Sequence, residues 1–198
     1  MAVITGIAGV ALVVGQRVSS WPVGIVSTAL FLLLFVQAGL YADSALQVLY
    51  ILLGSYGWWA WLRGGPAGGE LPVTTMSGRA RVGTAGAAIV ATAVVGWYLD
   101  GATDSTLPVP DAATTVLSVT AQILLTRKKL ESWPLWILGV NLPFIAIYLV
   151  KGLTLTAALQ VVFIVLSMAG WQSWRRSLAT EPAPAPGGRR GTPGALAR

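Results

Sequence analysis

Cysteine and histidine are both absent from the 198 residues. Without them there are no disulfides, no thiolate chemistry, no zinc sites of the usual Cys/His kind and no imidazole acid–base catalysis. Their absence carries no information about redox compartment. Charge is also scarce: 10% of residues are Asp, Glu, Lys or Arg, against about 25% in an ordinary globular domain. A chain so poor in charge lacks the polar surface that water requires. The net charge of +6 would suit a nucleic-acid partner only if the basic residues were clustered. They are instead dealt out between apolar runs, so no nucleic-acid partner is expected.

Apolar residues make up 55% of the chain, and the mean hydropathy is +0.72. Apolar runs fall at about 2–16, 21–40, 43–62, 80–99, 112–126, 133–150 and 153–174. At roughly 20 residues per membrane span, these predict seven transmembrane helices. Strands of a membrane barrel would alternate apolar and polar residues, and Leu30-Phe31-Leu32-Leu33-Leu34-Phe35-Val36 does not. Between the third and fourth runs, Arg63-Gly64-Gly65-Pro66-Ala67-Gly68-Gly69 cannot continue a helix. Beyond residue 176 the chain is rich in Pro, Gly and Arg, which predicts a disordered tail over 177–198. A signal peptide places basic residues before its apolar core. Here Arg17 follows the first run, which therefore reads as a retained first helix.

The charges assign an orientation. The loops after spans two, four and six share a side with the N-terminus, and carry Lys151 with Asp43, Asp100, Asp104 and Asp111. The other side carries Arg17, Arg63, Arg79, Arg81, Arg127, Lys128, Lys129, Arg175, Arg176, Arg189, Arg190 and Arg198. Under the positive-inside rule the N-terminus is outside and the C-terminus cytoplasmic. A wrong helix count would have scrambled this partition.

The chain also repeats itself. Ala45-Leu46-Gln47-Val48 recurs as Ala158-Leu159-Gln160-Val161, and Gly57-Trp58-Trp59-Ala60-Trp61 as Gly170-Trp171-Gln172-Ser173-Trp174. Ser20-Trp21-Pro22 recurs as Ser132-Trp133-Pro134, and Gly39 aligns with Gly152. Two copies of equal orientation need an odd number of helices between them, and the run at 80–99 supplies one. The expected fold is all-α and membrane-integral, in a three plus one plus three parallel arrangement. A first repeat occupies 1–62, a loop and linker helix 63–111, and a second repeat 112–176. The first helix of each copy reads as short, ~22 Å at 1.5 Å per residue, below the ~30 Å hydrocarbon core. Short segments at matching positions point to a substrate site, unless interfacial residues frame their ends.

Trp21-Pro22-Val23-Gly24-Ile25, Leu40-Tyr41-Ala42-Asp43, Leu46-Gln47, Gly57-Trp58-Trp59-Ala60-Trp61 and Trp133-Pro134-Leu135-Trp136-Ile137 together resemble the PnuC-type vitamin transporters, over roughly residues 5–176. The resemblance implies facilitated diffusion of nicotinamide riboside, made one-way by cytoplasmic phosphorylation. It implies a homotrimer with one pathway per protomer and a fold similar to that of the sugar-transporting SWEET proteins. Related members carry thiamin or riboflavin.

Within the spans, polar residues are costly and usually face a bundle interior. Asn141 lies near the middle of span six, with Phe144 and Tyr148 at i+3 and i+7 on one stripe. Pro143 leaves the carbonyl of Gly139 to find another partner. Trp136 lies a turn deeper than the other tryptophans, and its indole face suits a cationic pyridinium ring. It stands five residues before Asn141, on a different face of an α-helix, so both reach one ligand only if Pro143 distorts the helix. Gln47, Gln122 and Gln160 are further amides, able to donate and accept toward a ribose or carboxamide or to act as interhelical glue of ~1 kcal/mol. Gln47 and Gln160 are repeat mates, whereas Trp136 aligns with Gly24 and Asn141 with Ala29; one asymmetric ligand would require that asymmetry. Trp21, Trp58, Trp59, Trp61, Trp97, Trp133, Trp171 and Trp174 lie near span ends, as an interfacial belt does. Asp43 reads as a helix N-cap.

Other classes fit less well. An enzyme would need a nucleophile with a base, or paired carboxylates, and the spans offer scattered Ser and Thr. A retinal protein needs a mid-span Lys in the last helix, where this chain has Gln160. A non-transporting membrane subunit shares the repeat and topology and remains the alternative. No cofactor and no metal are expected.

Overall fold

The computed structural model describes residues 2–102, 107–150 and 152–180. These form seven helices: α1 Ala2–Val14, α2 Ser20–Gln37, α3 Tyr41–Arg63, α4 Gly78–Ala102, α5 Pro108–Thr126, α6 Ser132–Val150 and α7 Thr154–Thr180. Five of them (α2, α4, α5, α6 and α7) are long and apolar enough to cross a membrane. α3 has 23 residues, with Asp43 in its first turn and Arg63 in its last. No strand forms among the described residues; there is one isolated bridge, Thr74 to Lys129.

Two expectations change here. α5 begins at Pro108, with proline near its N-terminus where the missing N–H costs nothing, and runs 19 residues. It is therefore not short, and α1, at 13 residues, is the only short helix of the two. Asp43 is not the N-cap of α3; Leu40 holds that position. The Asp43 carboxylate lies in the first turn, where it complements the helix dipole. The expected tail and the loop position Asp104 lie outside the described residues.

Helix ends recur at corresponding places in the two sequence copies. Gln16 and Lys128 both adopt positive φ, +55° and +46°. Each ends its helix with the same two hydrogen bonds, Gln16 N to Val13 O and Arg17 N to Leu12 O, then Lys128 N to Leu125 O and Lys129 N to Leu124 O. Gly39 and Gly152, at +72° and +73°, close α2 and α6 by the same pattern.

α1, α2 and α3 pack together, as do α5, α6 and α7; the two groups meet where α1 lies on α7 and α3 on α5, and α4 packs on α5. The seam is made of tryptophan. Trp21 meets Trp61 edge to face at 5.2 Å, Trp133 meets Trp174 likewise at 5.2 Å, and Trp61 and Trp174 lie 5.8 Å apart. Each such pair contributes about 0.5–1.5 kcal/mol beyond burial. Trp61 Nε1 donates to the carbonyl of Leu125 on α5, and Trp174 Nε1 to that of Val13 on α1. Gly57 and Gly170 make room for the rings: a Cβ on either would stand 2.3 Å from Trp21 or Trp133. These four tryptophans are therefore a buried core, not an interfacial belt. Trp58, Trp59, Trp97 and Trp171 are exposed, as a belt requires.

The cluster also fixes the two ends of the bundle. It gathers the last turns of α1, α3, α5 and α7 with the first turns of α2 and α6. Arg17, Arg63, Arg127, Lys128, Lys129, Arg175 and Arg176 flank these turns and make this the basic end. Asp43 and Asp111 lie in the first turns of α3 and α5, at the opposite end.

Candidate substrate pathway

α6 is where the sequence departs from a regular helix. Pro143 has no N–H to offer the Gly139 carbonyl, and the chain answers by opening the turn: Leu135–Asn141 is π-helical. The N–H of Leu142 bonds to the carbonyl of Ile137, five residues back. In that geometry residues five apart come round to nearly the same side. Trp136 and Asn141, on different faces of an α-helix, are thereby brought toward one face. Gly139 permits this on the packed side, since a Cβ there would meet Leu117 at 3.2 Å.

Asn141 is 5% exposed, and its amide makes no side-chain hydrogen bond to a described residue. Phe144 and Tyr148 stack at 5.4 Å and 12°, continuing its stripe toward the acidic end. There Tyr148 lies within electrostatic reach of Asp43 and Asp111. Gln47 on α3, Gln122 on α5 and Gln160 on α7 are half-buried. None makes a side-chain hydrogen bond to a described residue, as interhelical glue would. No bond draws these three together with Asn141.

The sequence reading missed Tyr50 and Ser118, whose hydroxyls lie 2.5 Å apart and join α3 to α5 across the seam. A Tyr and a Ser each facing inward on apolar helices is weak evidence alone. Ser118 is nonetheless on the buried stripe Thr114, Ser118, Ala121 and Leu125 of α5, at helical spacing. Among the described residues no cluster of His, Cys, Asp and Glu could hold a metal ion. A separate groove of about 460 Å³ between α4, α5 and α6 contains none of the candidate residues.

Toward the basic end lies the tryptophan cluster. Lys128 lies over the Trp61 ring, 4.5 Å from its centroid, and is 3% exposed. Burial pushes its ammonium below the ordinary lysine range, more strongly than Glu70 raises it.

The chain is similar to several known proteins. The nicotinamide riboside transporter PnuC of Escherichia coli (strain K12) is 23% identical over 199 residues, covering 88% of this chain and 83% of its own. The one from Neisseria mucosa is 27% identical over 187 residues, covering 89% and 71%. A solved structure, the crystal structure of the vitamin B3 transporter PnuC, matches with a TM-score of 0.72 and 27% identity, over 90% of this chain and 80% of that one. Residues 1–176 match the nicotinamide mononucleotide transporter family. With that match spanning residues 1–176 and its long apolar helices, the chain belongs to that family of multi-pass membrane transporters.

Proposed function

We propose that this transporter carries nicotinamide riboside into the cell by facilitated diffusion, with phosphorylation on the cytoplasmic side trapping it. The observation that carries this reading is the buried Asn141, whose amide makes no side-chain hydrogen bond to a described residue, one turn before the Phe144–Tyr148 stack that leads toward the acidic end. A pyridinium cation is drawn by carboxylates, stacks on aromatic rings, and presents a carboxamide and ribose that suit amides and hydroxyls. Trp136, Gln47, Gln122 and Gln160 complete the proposed set, with Tyr50 and Ser118. A mononucleotide is disfavoured, because its phosphate needs a cation and every described Lys and Arg lies at a helix end or in a loop. The proposed architecture is two parallel three-helix repeats about α4, SWEET-like, supported by the matched helix caps and tryptophan pairs. The proposed orientation puts the basic end in the cytoplasm. The proposed assembly is a homotrimer, checked by a native mass three times 20.7 kDa.

The test is calorimetry and liposome uptake with nicotinamide riboside, thiamin and riboflavin in parallel. Nicotinamide riboside is expected to bind and to equilibrate across the membrane without accumulating under proton or sodium gradients. Asn141→Leu is expected to weaken binding more than tenfold, ~1.4 kcal/mol, with thermal stability kept. Tighter binding of thiamin or riboflavin refutes the substrate, and stability lost with affinity kept makes Asn141 interhelical glue.

A further inference from the structure

The segment between α3 and α4 crosses the basic end of the bundle and touches both halves. The Leu71 N–H bonds to the carbonyl of Trp61. Val73, 4% exposed, is buried in the tryptophan cluster. Pro72 and Val73 also border a cleft with Gln16, at the end of α1, and with Ser177 and Thr180 of α7. Thr74 then pairs with the α5–α6 turn: its N–H bonds to the Lys128 carbonyl at 3.0 Å, its carbonyl accepts from Leu130 N–H at 2.9 Å, and its hydroxyl accepts from Lys129 Nζ at 2.8 Å. One carboxylate oxygen gathers the rest. Glu131 Oε1 accepts the Met76 N–H at 2.9 Å and both Nε and Nη2 of Arg81 at 3.0 and 2.7 Å.

The segment hydrogen-bonds to the Lys128 turn; at the counterpart turn, Gln16 Nε2 donates to Ser177 Oγ at 2.7 Å and Trp174 Nε1 to the Val13 carbonyl, both on or from α7. Beneath the segment the seam is incompletely satisfied. Ser20 Oγ, Trp21 Nε1, Ser132 Oγ and Trp133 Nε1 are buried without partners, which weakens the closed state. A path for substrate between the halves must part the Trp61–Leu125 and Trp174–Val13 bonds. It cannot do so while Val73 and Thr74 bridge above them.

We propose that residues 69–77 are a strap closing the basic end of the transport pathway, latched by Glu131, and that this end opens only when the strap leaves the α5–α6 turn. The proposal rests on the transport reading above for its direction, not for its geometry. The chain has no native cysteine, so Thr74→Cys with Lys129→Cys places one reversible lock at the parallel bridge. In liposomes the oxidised pair is expected to cut riboside uptake at least tenfold, with reductant restoring it. A second readout needs no substrate. In a Val13→Cys background, Glu131→Gln is expected to raise the rate of maleimide labelling from the basic end at least fivefold, because the strap lifts more often. Uptake that is equal in the oxidised and reduced pair overturns the strap, as does Val13→Cys labelling unchanged by Glu131→Gln. If neither wild type nor the reduced pair moves the riboside, the substrate reading falls, and the labelling still decides the strap.

Discussion

Lys128 illustrates how one residue holds several costs in a single place. Its backbone sits at φ +46°, its ammonium is buried over Trp61, and its pKa lies below the ordinary 10.5 because burial outweighs Glu70. Linkage gives the sign. Below the folded-state pKa both states hold the proton and the whole desolvation cost is present. Between that value and 10.5 the unfolded chain binds more protons, so stability rises with pH. Lys128→Met keeps the volume and removes the titration. Thermal denaturation at rising alkaline pH is therefore expected to climb for the wild type and to stay flat for the variant; parallel curves would remove Lys128 as the cause. The neighbouring tryptophans show what sequence alone concealed at this scale. Trp58 and Trp61 recur together in the second copy, yet one is 41% exposed and the other 0%. Only the three-dimensional seam distinguishes them. The available signal was Gly57 four residues before Trp61 and Gly170 four before Trp174, each on the face that receives a ring.

Among the elements, α6 carries the largest departure from a sequence rule. The heptad of residues at 135–141 reads as ordinary apolar helix, and Pro143 announces a lost hydrogen bond without saying how the loss is absorbed. The i→i−5 bonding of this stretch decides it, and narrows the angle about the helix axis between positions 136 and 141. Pro143→Ala restores the missing donor, and interior proline costs a helix about 3 kcal/mol. The variant is expected to gain thermal stability while losing affinity for nicotinamide riboside severalfold, as the stretch relaxes to α-helix and the two side chains part. Calorimetry and thermal melts on the same preparation check both halves; a stabilised variant with unchanged affinity would detach the π-helix from binding. The α5 boundary is a milder case of the same kind. Its apolar run begins at Ala112, but Pro108 supplies a start and lengthens the helix by a turn.

For the whole molecule the charge partition is the governing feature. Asp43 and Asp111 lie at the opposite end of the helices from the basic turns, which the tryptophan cluster draws together. If that end is cytoplasmic, a cysteine replacing Ala102 at the end of α4 reacts with an impermeant maleimide in intact cells, and one replacing Ala179 on α7 does not. The reverse pattern would overturn the orientation while leaving the fold intact.

The sequence by itself determined the membrane setting, seven helices, the basic turns at one end, and that Phe144 and Tyr148 share a face. These follow from hydropathy, charge and helical periodicity, all of which are local properties readable along one dimension. Tertiary structure alone decided that Trp21, Trp61, Trp133 and Trp174 form the seam, that Tyr50 meets Ser118, and that Thr74 pairs with the α5–α6 turn at the basic end. The ring pairs, the Tyr50–Ser118 contact and the Thr74–Lys128 bond each join residues at least 40 apart in the chain. Such pairings depend on how helices pack, and no local pattern encodes a packing partner.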